Sequence, residues 1–480
     1  MTRSSLMKTH CNQKSFLFPS QNRRKTVAHF DGGAITSDAG GLLLRQVEQA
    51  TGILRQFAAC FTDHRDPDRI EHTLEQLIAQ RMYALALGYE DLNDHDELRH
   101  DPLLAVLAGK SDPTGQDRLR QRDRGKALAG KSTLNRLELT PVGASAKSRY
   151  KKITADTRAI EDYFITIFLQ SYRTPPRQII LDLDATDDPI HGEQLGRFFH
   201  GYYQEYCYLP LYIFCGEHLL CARRRPSNLD ASTGSVKQLD RIVSRIRQAW
   251  PQVQILIRAD SGFCREAILY WCEAHEVDYI LGLAKNERLK QDIAAEMEQA
   301  KEQYRQAGQA ARVFKDFVYQ TRKSWSRARR VIGKAEYLAK GENPRFVVTS
   351  LSAEDVDART LYEEYYCARG EMENRIKEQQ LYLFADRTST ATMRANQLRL
   401  WFSSVAYTLM TALRRLGLKG TPLAQAQCHT IRLKLLKLGA QIKVTVRKVW
   451  ISLAESYPYR SLFKRVYENL LNWIPIPLRC

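Results

Sequence analysis

The chain is 480 residues long, 44% hydrophobic and 26% charged, a balance that excludes a disordered or fibrous protein and implies about two to four folded domains. Lys and Arg total 72 against 54 acids, a formal net charge of +18, which points to a polyanionic partner because neutralised phosphates release their counterions. The sequence has no run of ~18 apolar residues to span a membrane, no apolar secretory leader in MTRSSLMKTHCNQKSFLF, and no CxxC pair among its ten cysteines to build a zinc ribbon.

Residues 1–30 are polar and are expected to form a flexible arm. Residues 31–170 read as a helical domain. Leu42, Leu43, Val47, Ile78, Met82 and Leu85 recur at helical spacing, Asp91 and Ser132 suit helix N-caps, and LAGKSTLNRLEL opens a further helix after a charged loop over 112–130. Residues 171–286 change character. PPRQIILDLDATDDP is a buried strand ending near Asp184, and LPLYIFCGEHLLCARRR is a hairpin around Cys215-Gly216-Glu217. SVKQLDRIVSRIRQAW is a helix with Leu239, Ile242, Val243, Ile246 and Trp250 on one face. VQILIRADSGF is a strand ending at Asp260, followed by the helix REAILYWCEAHE and the strand VDYILGLAKN. This order predicts an α/β domain with a mixed sheet.

Residues 287–352 read as a β-rich insertion, with FKDFVYQ, VIGKAEYL and PRFVVTSL as strands around a basic tract. Residues 353–390 hold the strongly helical LYEEYYCARGEMENRIKEQQLYL. Residues 391–480 are expected to be a basic helical region; from Thr388 onward the chain has fifteen Lys and Arg against Glu455 and Glu468, or +13 of the total charge.

Asp184 and Asp260 each end a predicted strand, where ligands meet an open α/β sheet. Glu373 shares a helix face with Tyr366, Arg369 and Lys377, given ~100° per residue. Three oxygen donors converging from two strands and a helix suit magnesium, with manganese as a substitute. Two such ions in one site can activate an attacking oxygen and stabilise the leaving one in phosphoryl transfer. The bland alternatives are loop or cap aspartates and a routine Glu373–Lys377 helix ion pair. Trp325, flanked by Arg322, Lys323, Arg327, Arg329 and Arg330, either stacks on an extruded base or packs between the insertion strands.

LDLDATDDPIHG, RADSGF and YCARGEMENRIKE resemble the three acidic motifs of DDE transposases with an RNase H-like core. The sequence looks most like the bacterial insertion-sequence family numbered 1380, related to a wider group with a Tyr-Arg-Glu-Lys signature helix. The resemblance runs from HFDGGAITSDAGG through the helix after Trp401. It implies that Asp184, Asp260 and Glu373 are the catalytic and metal-binding triad, and that Tyr366 and Arg369 are the signature Tyr and Arg that contact DNA. The group's signature Lys falls on Gln380, which leaves Lys377 as the nearest substitute. Asp182 shares a strand face with Asp184; Asp184 is preferred because Ala-Thr follows it, as in the family's Asp-x-Thr.

The resemblance implies a cytoplasmic, nucleoid-associated transposase that binds double-stranded DNA at terminal inverted repeats, with residues 31–170 as its N-terminal DNA-binding domain and the basic region over 391–480 assisting. It would cut one strand and transfer it into target DNA with two metal ions per site, as a homodimer that synapses two ends. Two other readings are a metal-dependent nuclease or resolvase on the same core and a non-catalytic DNA-binding derivative.

Overall fold

The computed structural model describes residues 15–473. The first fourteen residues of the expected arm, and the last seven of the basic C-terminal region, lie outside the described residues. Residues 15–30 are an exposed antiparallel hairpin of Phe16–Gln21 with Arg24–Ala28, rather than an arm without structure.

The helical part contains α1 (Gly41–Thr51), α2 (Leu74–Leu87) and α3 (Thr157–Gln170), with shorter helices between. Helix α2 begins with a Thr73–Gln76 capping box and stops at Gly88, whose φ of 98° suits a residue without a Cβ. The expected N-cap at Ser132 is not used: the helix Lys131–Leu139 already includes it and follows Gly130.

The centre of the molecule is a nine-stranded mixed sheet. Its strands are β1 (Gln178–Ala185), β2 (Leu211–Cys215), β3 (His218–Arg223), β4 (Gln254–Ala259), β5 (Asp278–Leu283), β6 (Ala311–Tyr319), β7 (Arg329–Leu338) and β8 (Arg345–Thr349), with the two-residue strand Gly341–Glu342 pairing the end of β7. They lie in the order β3-β2-β1-β4-β5-β8-β7-β6. β1, β4 and β5 are mutually parallel and central, whereas β2 and β8 run antiparallel to their neighbours. The segment read as a β-rich insertion therefore supplies four of the nine strands of this sheet.

Alternation along the strands assigns the two faces. Leu181, Leu183, Ile255, Ile257 and Ala259 face α3, α4 (Ser235–Ala249) and α5 (Glu266–Ala274) in one dry cluster with Leu239, Ile242, Ile246 and Ile268. Each such side chain contributes about 1.5–3 kcal/mol on burial. On the opposite face Leu256, Ile280, Ile332 and Val347 are covered by Leu361 and Tyr362 of the helical stretch that leads into α6 (Gly370–Leu383). Asp182, Asp184 and Arg258 alternate onto this second face.

The C-terminal region, expected to be mostly helical, is helical only in part. Helix α7 (Met393–Leu416) packs against α1 and α2 in a single core, so the two ends of the chain fold together. Beyond it, Ala440–Val444 and Val449–Leu453 form a hairpin that takes Ala34–Thr36 as a third strand. β-branched Ile442, Val444, Val449 and Ile451 fit a pleated surface better than a helix, and the partner strand lies about 400 residues earlier, where local periodicity carries no signal of it. A final helix covers Arg460–Leu471. No described helix is long and apolar enough to cross a membrane.

Candidate active site

Asp184 sits at the end of β1, where its Oδ1 accepts the Ala185 amide at 2.9 Å. Asp260 follows β4 and caps the short turn Ser261–Phe263, with its Oδ1 accepting the Gly262 amide at 2.9 Å. Since β1 and β4 are adjacent and parallel, both carboxylates emerge at the C-terminal ends of neighbouring central strands. The third carboxylate comes from the covering helix. That stretch is not a uniform α-helix: a π-turn over Leu361–Tyr366 passes through a tight 3₁₀ turn, Cys367–Arg369, into α6. Such changes of winding re-aim side chains and occur often at functional sites.

Arg369 joins the elements. Its guanidinium donates to Glu373 Oε1 at 2.9 Å and to Asp184 Oδ2 at 3.4 Å, bridging helix and strand. Burial would lower the Arg369 pKa, but Asp184, Tyr366, Glu373 and Asp260 around it hold it above its usual value. The Asp184 carboxyl is pushed up to about 6 by burial; Arg369 opposes the rise, and Asp260 and Glu373 add to it. Burial raises the Tyr366 hydroxyl as well.

This arrangement suits added positive charge. Three carboxylates face one guanidinium, and their donors are all hard oxygens of the kind magnesium selects. Among the described residues no three His, Cys, Asp or Glu side chains form a ready-made metal cluster, and the Arg369 guanidinium bridges Asp184 and Glu373. The residue types fit divalent ions.

The other expected residues divide clearly. Asp182 is engaged elsewhere: Arg258, its cross-strand neighbour, donates to both of its oxygens, Nε to Oδ1 at 2.5 Å and Nη2 to Oδ2 at 2.8 Å, with both side chains buried. Lys377 is exposed and makes no ion pair with Glu373, which is held by Arg369 instead. Gln380 reaches the end of β1, where its Nε2 donates to the Asp187 carbonyl at 2.9 Å and to Asp188 Oδ1 at 3.3 Å. Asp188 in turn forms a buried pair with Arg224 at 2.8 Å.

The basic tract is corrected in part. Trp325 is only 7% exposed; it packs edge-on to Tyr319 beneath the Arg329 guanidinium and cannot offer a face to a base. Arg329 is buried between Glu266 and Glu273. Arg330 is held by Asp316 and by the carbonyls of Leu351, Ser352 and Val356. Arg327 is exposed but paired with Glu273 at 3.0 Å. Arg322 and Lys323 are exposed and have no carboxylate partner among the described residues. The sequence pattern fails here because every second residue of β7 faces inward, where a charge persists only if it is paired.

Two contributors were missed. Arg258 lies two residues before Asp260, hence on the same strand face, and that spacing was the available signal. Gly282 on β5 is the other: a Cβ there would lie 2.5 Å from Tyr366 Oη, 2.8 Å from the Ser261 amide nitrogen and 3.1 Å from the Asp260 carbonyl carbon. Its missing side chain lets Tyr366 and the Asp260 turn come together. Beside the site, Tyr203 lies within 3.4 Å of the Ala185 carbonyl, in a small three-stranded flap that exposes Phe199, Tyr202 and Tyr206.

No curated protein matches the sequence. Among solved structures, that of piggyBac transposase in a synaptic complex with hairpin DNA overlaps it with a TM-score of 0.40 at 11% identity, covering 93% of this chain and 86% of that one. Residues 18–474 match the family described as transposase DDE domain group 1. With nearly its whole length inside that match, the chain belongs to the family of transposases with a group 1 DDE domain.

Proposed function

We propose that this protein is a DNA transposase of the insertion-sequence family numbered 1380. In this reading it binds terminal inverted repeats and both cuts and joins DNA at Asp184, Asp260 and Glu373. The observation that carries the proposal is the placement of two aspartates at the ends of adjacent central parallel strands, with a glutamate brought over them by the helix of the third acidic motif. The antiparallel β2–β3 hairpin beside parallel β1, β4 and β5 supports an RNase H-like core.

Magnesium, or manganese in its place, would be held by these three carboxylates as two ions and would supply activation of the attacking oxygen and stabilisation of the leaving one. The chain's own residues prepare the place. Arg369 neutralises Asp184 and Glu373 in the absence of substrate, and its planar fork matches a DNA phosphate bidentately. Tyr366, packed over Gly282, fixes the distance between the covering helix and the Asp260 turn. Gln380 ties the same helix to the Asp187–Asp188 segment, so the end of β1 cannot drift. In the first step a water oxygen attacks phosphorus and the 3′ oxygen leaves as a hydroxyl. In the second that hydroxyl attacks a phosphorus of target DNA, gives up its proton, and displaces the target strand's own 3′ oxygen, which leaves as a hydroxyl. Two chains synapsing two ends complete the reading.

The test is a reaction with labelled end DNA, target plasmid and magnesium, with wild type beside Asp260→Ala. Cleaved and joined products from wild type, both absent with the variant, are expected. Cleavage without joining would make the protein a nuclease, and binding without metal-dependent chemistry would remove the catalytic reading.

A further inference from the structure

Six of the fifteen C-terminal basic residues are committed inside the fold. Arg399 pairs with Glu138, Arg414 with Glu378 and Glu217, and Lys437 with Asp38. Arg394, Arg415 and Arg432 donate to backbone carbonyls. Of the remaining basic residues, Lys443, Arg447 and Lys448 cluster on one element, the hairpin of Ala440–Val444 and Val449–Leu453.

The register of this hairpin sorts its side chains. Ala440, Ile442, Val444, Val449, Ile451 and Leu453 share one face, and Ala440, Ile442, Val444 and Ile451 pack it against the helical core, while Val449 and Leu453 stay exposed. The other face carries Gln441, Lys443, Trp450 and Ser452, joined by Ile35 from the neighbouring strand. Trp450 is 54% exposed and Ile35 63%. The tip adds Arg447 and Lys448, and its turn is fixed by the Thr445 amide donating to the Lys448 carbonyl at 2.8 Å. The Lys448 ammonium lies 5.2 Å from the Trp450 ring centre and steadies it. Among the described residues, Lys443, Arg447 and Lys448 have no carboxylate partner.

We propose that this β-ribbon is a duplex-DNA contact, with Lys443, Arg447 and Lys448 on phosphates and Trp450 against the groove wall. An uncompensated basic cluster around an exposed indole calls for a polyanion with apolar surface between its charges, and duplex DNA offers both. Size agrees: strands ~4.8 Å apart form a ribbon that the major groove, about 12 Å wide, admits. The inference rests on the transposase reading for its choice of DNA as the polyanion.

The test measures binding of the full chain to a fluorescein-labelled duplex of arbitrary sequence, in EDTA, as a function of salt. The variant K443A/R447A/K448A is compared with wild type. Three lost phosphate contacts should lower the slope of log affinity against log salt by about 2.7, so that raising salt from about 50 to 200 mM weakens the variant about 40-fold less than wild type. An unchanged slope in a variant that melts like wild type would overturn the inference and leave the transposase reading standing. Failure of wild type to bind any duplex would overturn both. Trp450→Ala that converts a dimer to monomer while keeping the DNA slope would assign the face to a second copy of the chain instead. Should the triple variant misfold, photocross-linking of wild type to an iododeoxyuridine duplex decides: cross-linked Trp450 supports the contact, and its absence refutes it.

Discussion

Replacing Gly282 with Ala places one methyl group where the covering helix and the Asp260 turn meet. The added carbon would sit 2.5 Å from Tyr366 Oη and 2.8 Å from the Ser261 nitrogen, against the ~3.5 Å at which such contacts cease to repel. The Ser261 amide and the Asp260 carbonyl carbon are backbone, with no rotamer to relieve the contact, so the turn itself moves by roughly 0.7 Å or more. Overpacking of this kind costs about 1–3 kcal/mol. With an unfolding entropy of about 2.1 cal/mol/K per residue, 480 residues give a Tm loss of about 1–3 °C. The effect on function is larger, because misplacing a reacting group by ~1 Å costs about 100-fold in rate. Thermal melting and single-turnover cleavage of end DNA should therefore separate: a small fall in Tm with a fall in rate of about two orders. Gly143→Ala, where nothing lies within 4 Å, is the control. A Gly282→Ala protein that melts and cleaves like this control would refute the claim that Gly282 sets the site's geometry.

Asp182→Asn breaks the buried pair with Arg258 and should cost about 3–5 kcal/mol, visible as a lowered Tm, whereas Asp184→Asn should abolish cleavage with little loss of Tm; the reverse pattern would make Asp182 the first ligand. The raised Asp184 carboxyl, at about 6, binds its proton more tightly folded than unfolded, so its stabilisation is full below pH ~4 and lost as pH rises through about 6. The Tm of wild type relative to Asp184→Asn should accordingly fall between pH 4 and pH 6, and a rise over that window would show that the sign is wrong. Trp325→Ala should destabilise by about 3–5 kcal/mol as a core truncation, while Arg322→Ala with Lys323→Ala should leave Tm unchanged; weakened DNA binding by Trp325→Ala at unchanged Tm would restore the base-stacking role.

Much of this protein was readable because its signals are local. The alternation of Leu181 and Leu183 with Asp182 and Asp184, and the helical spacing of Leu239, Ile242 and Ile246, repeat within one element, and each motif carries its carboxylate at a strand end or on a helix. The order of the main strands and helices over 178–283 follows from such periods, whereas the three short strands over 188–208 were not read from them. The tertiary structure decided which charges are free. Arg258 removes Asp182 from the site, Arg369 takes Glu373 from Lys377, and Glu266 with Glu273 draw Arg329 inward; each is a pairing across elements that no spacing along the chain encodes. The hairpin at 440–453 is the same case, since the strand that completes it comes from residues 34–36. Periodicity records which face of an element is buried, but the partner of a buried charge or an open strand edge exists only once distant segments have met.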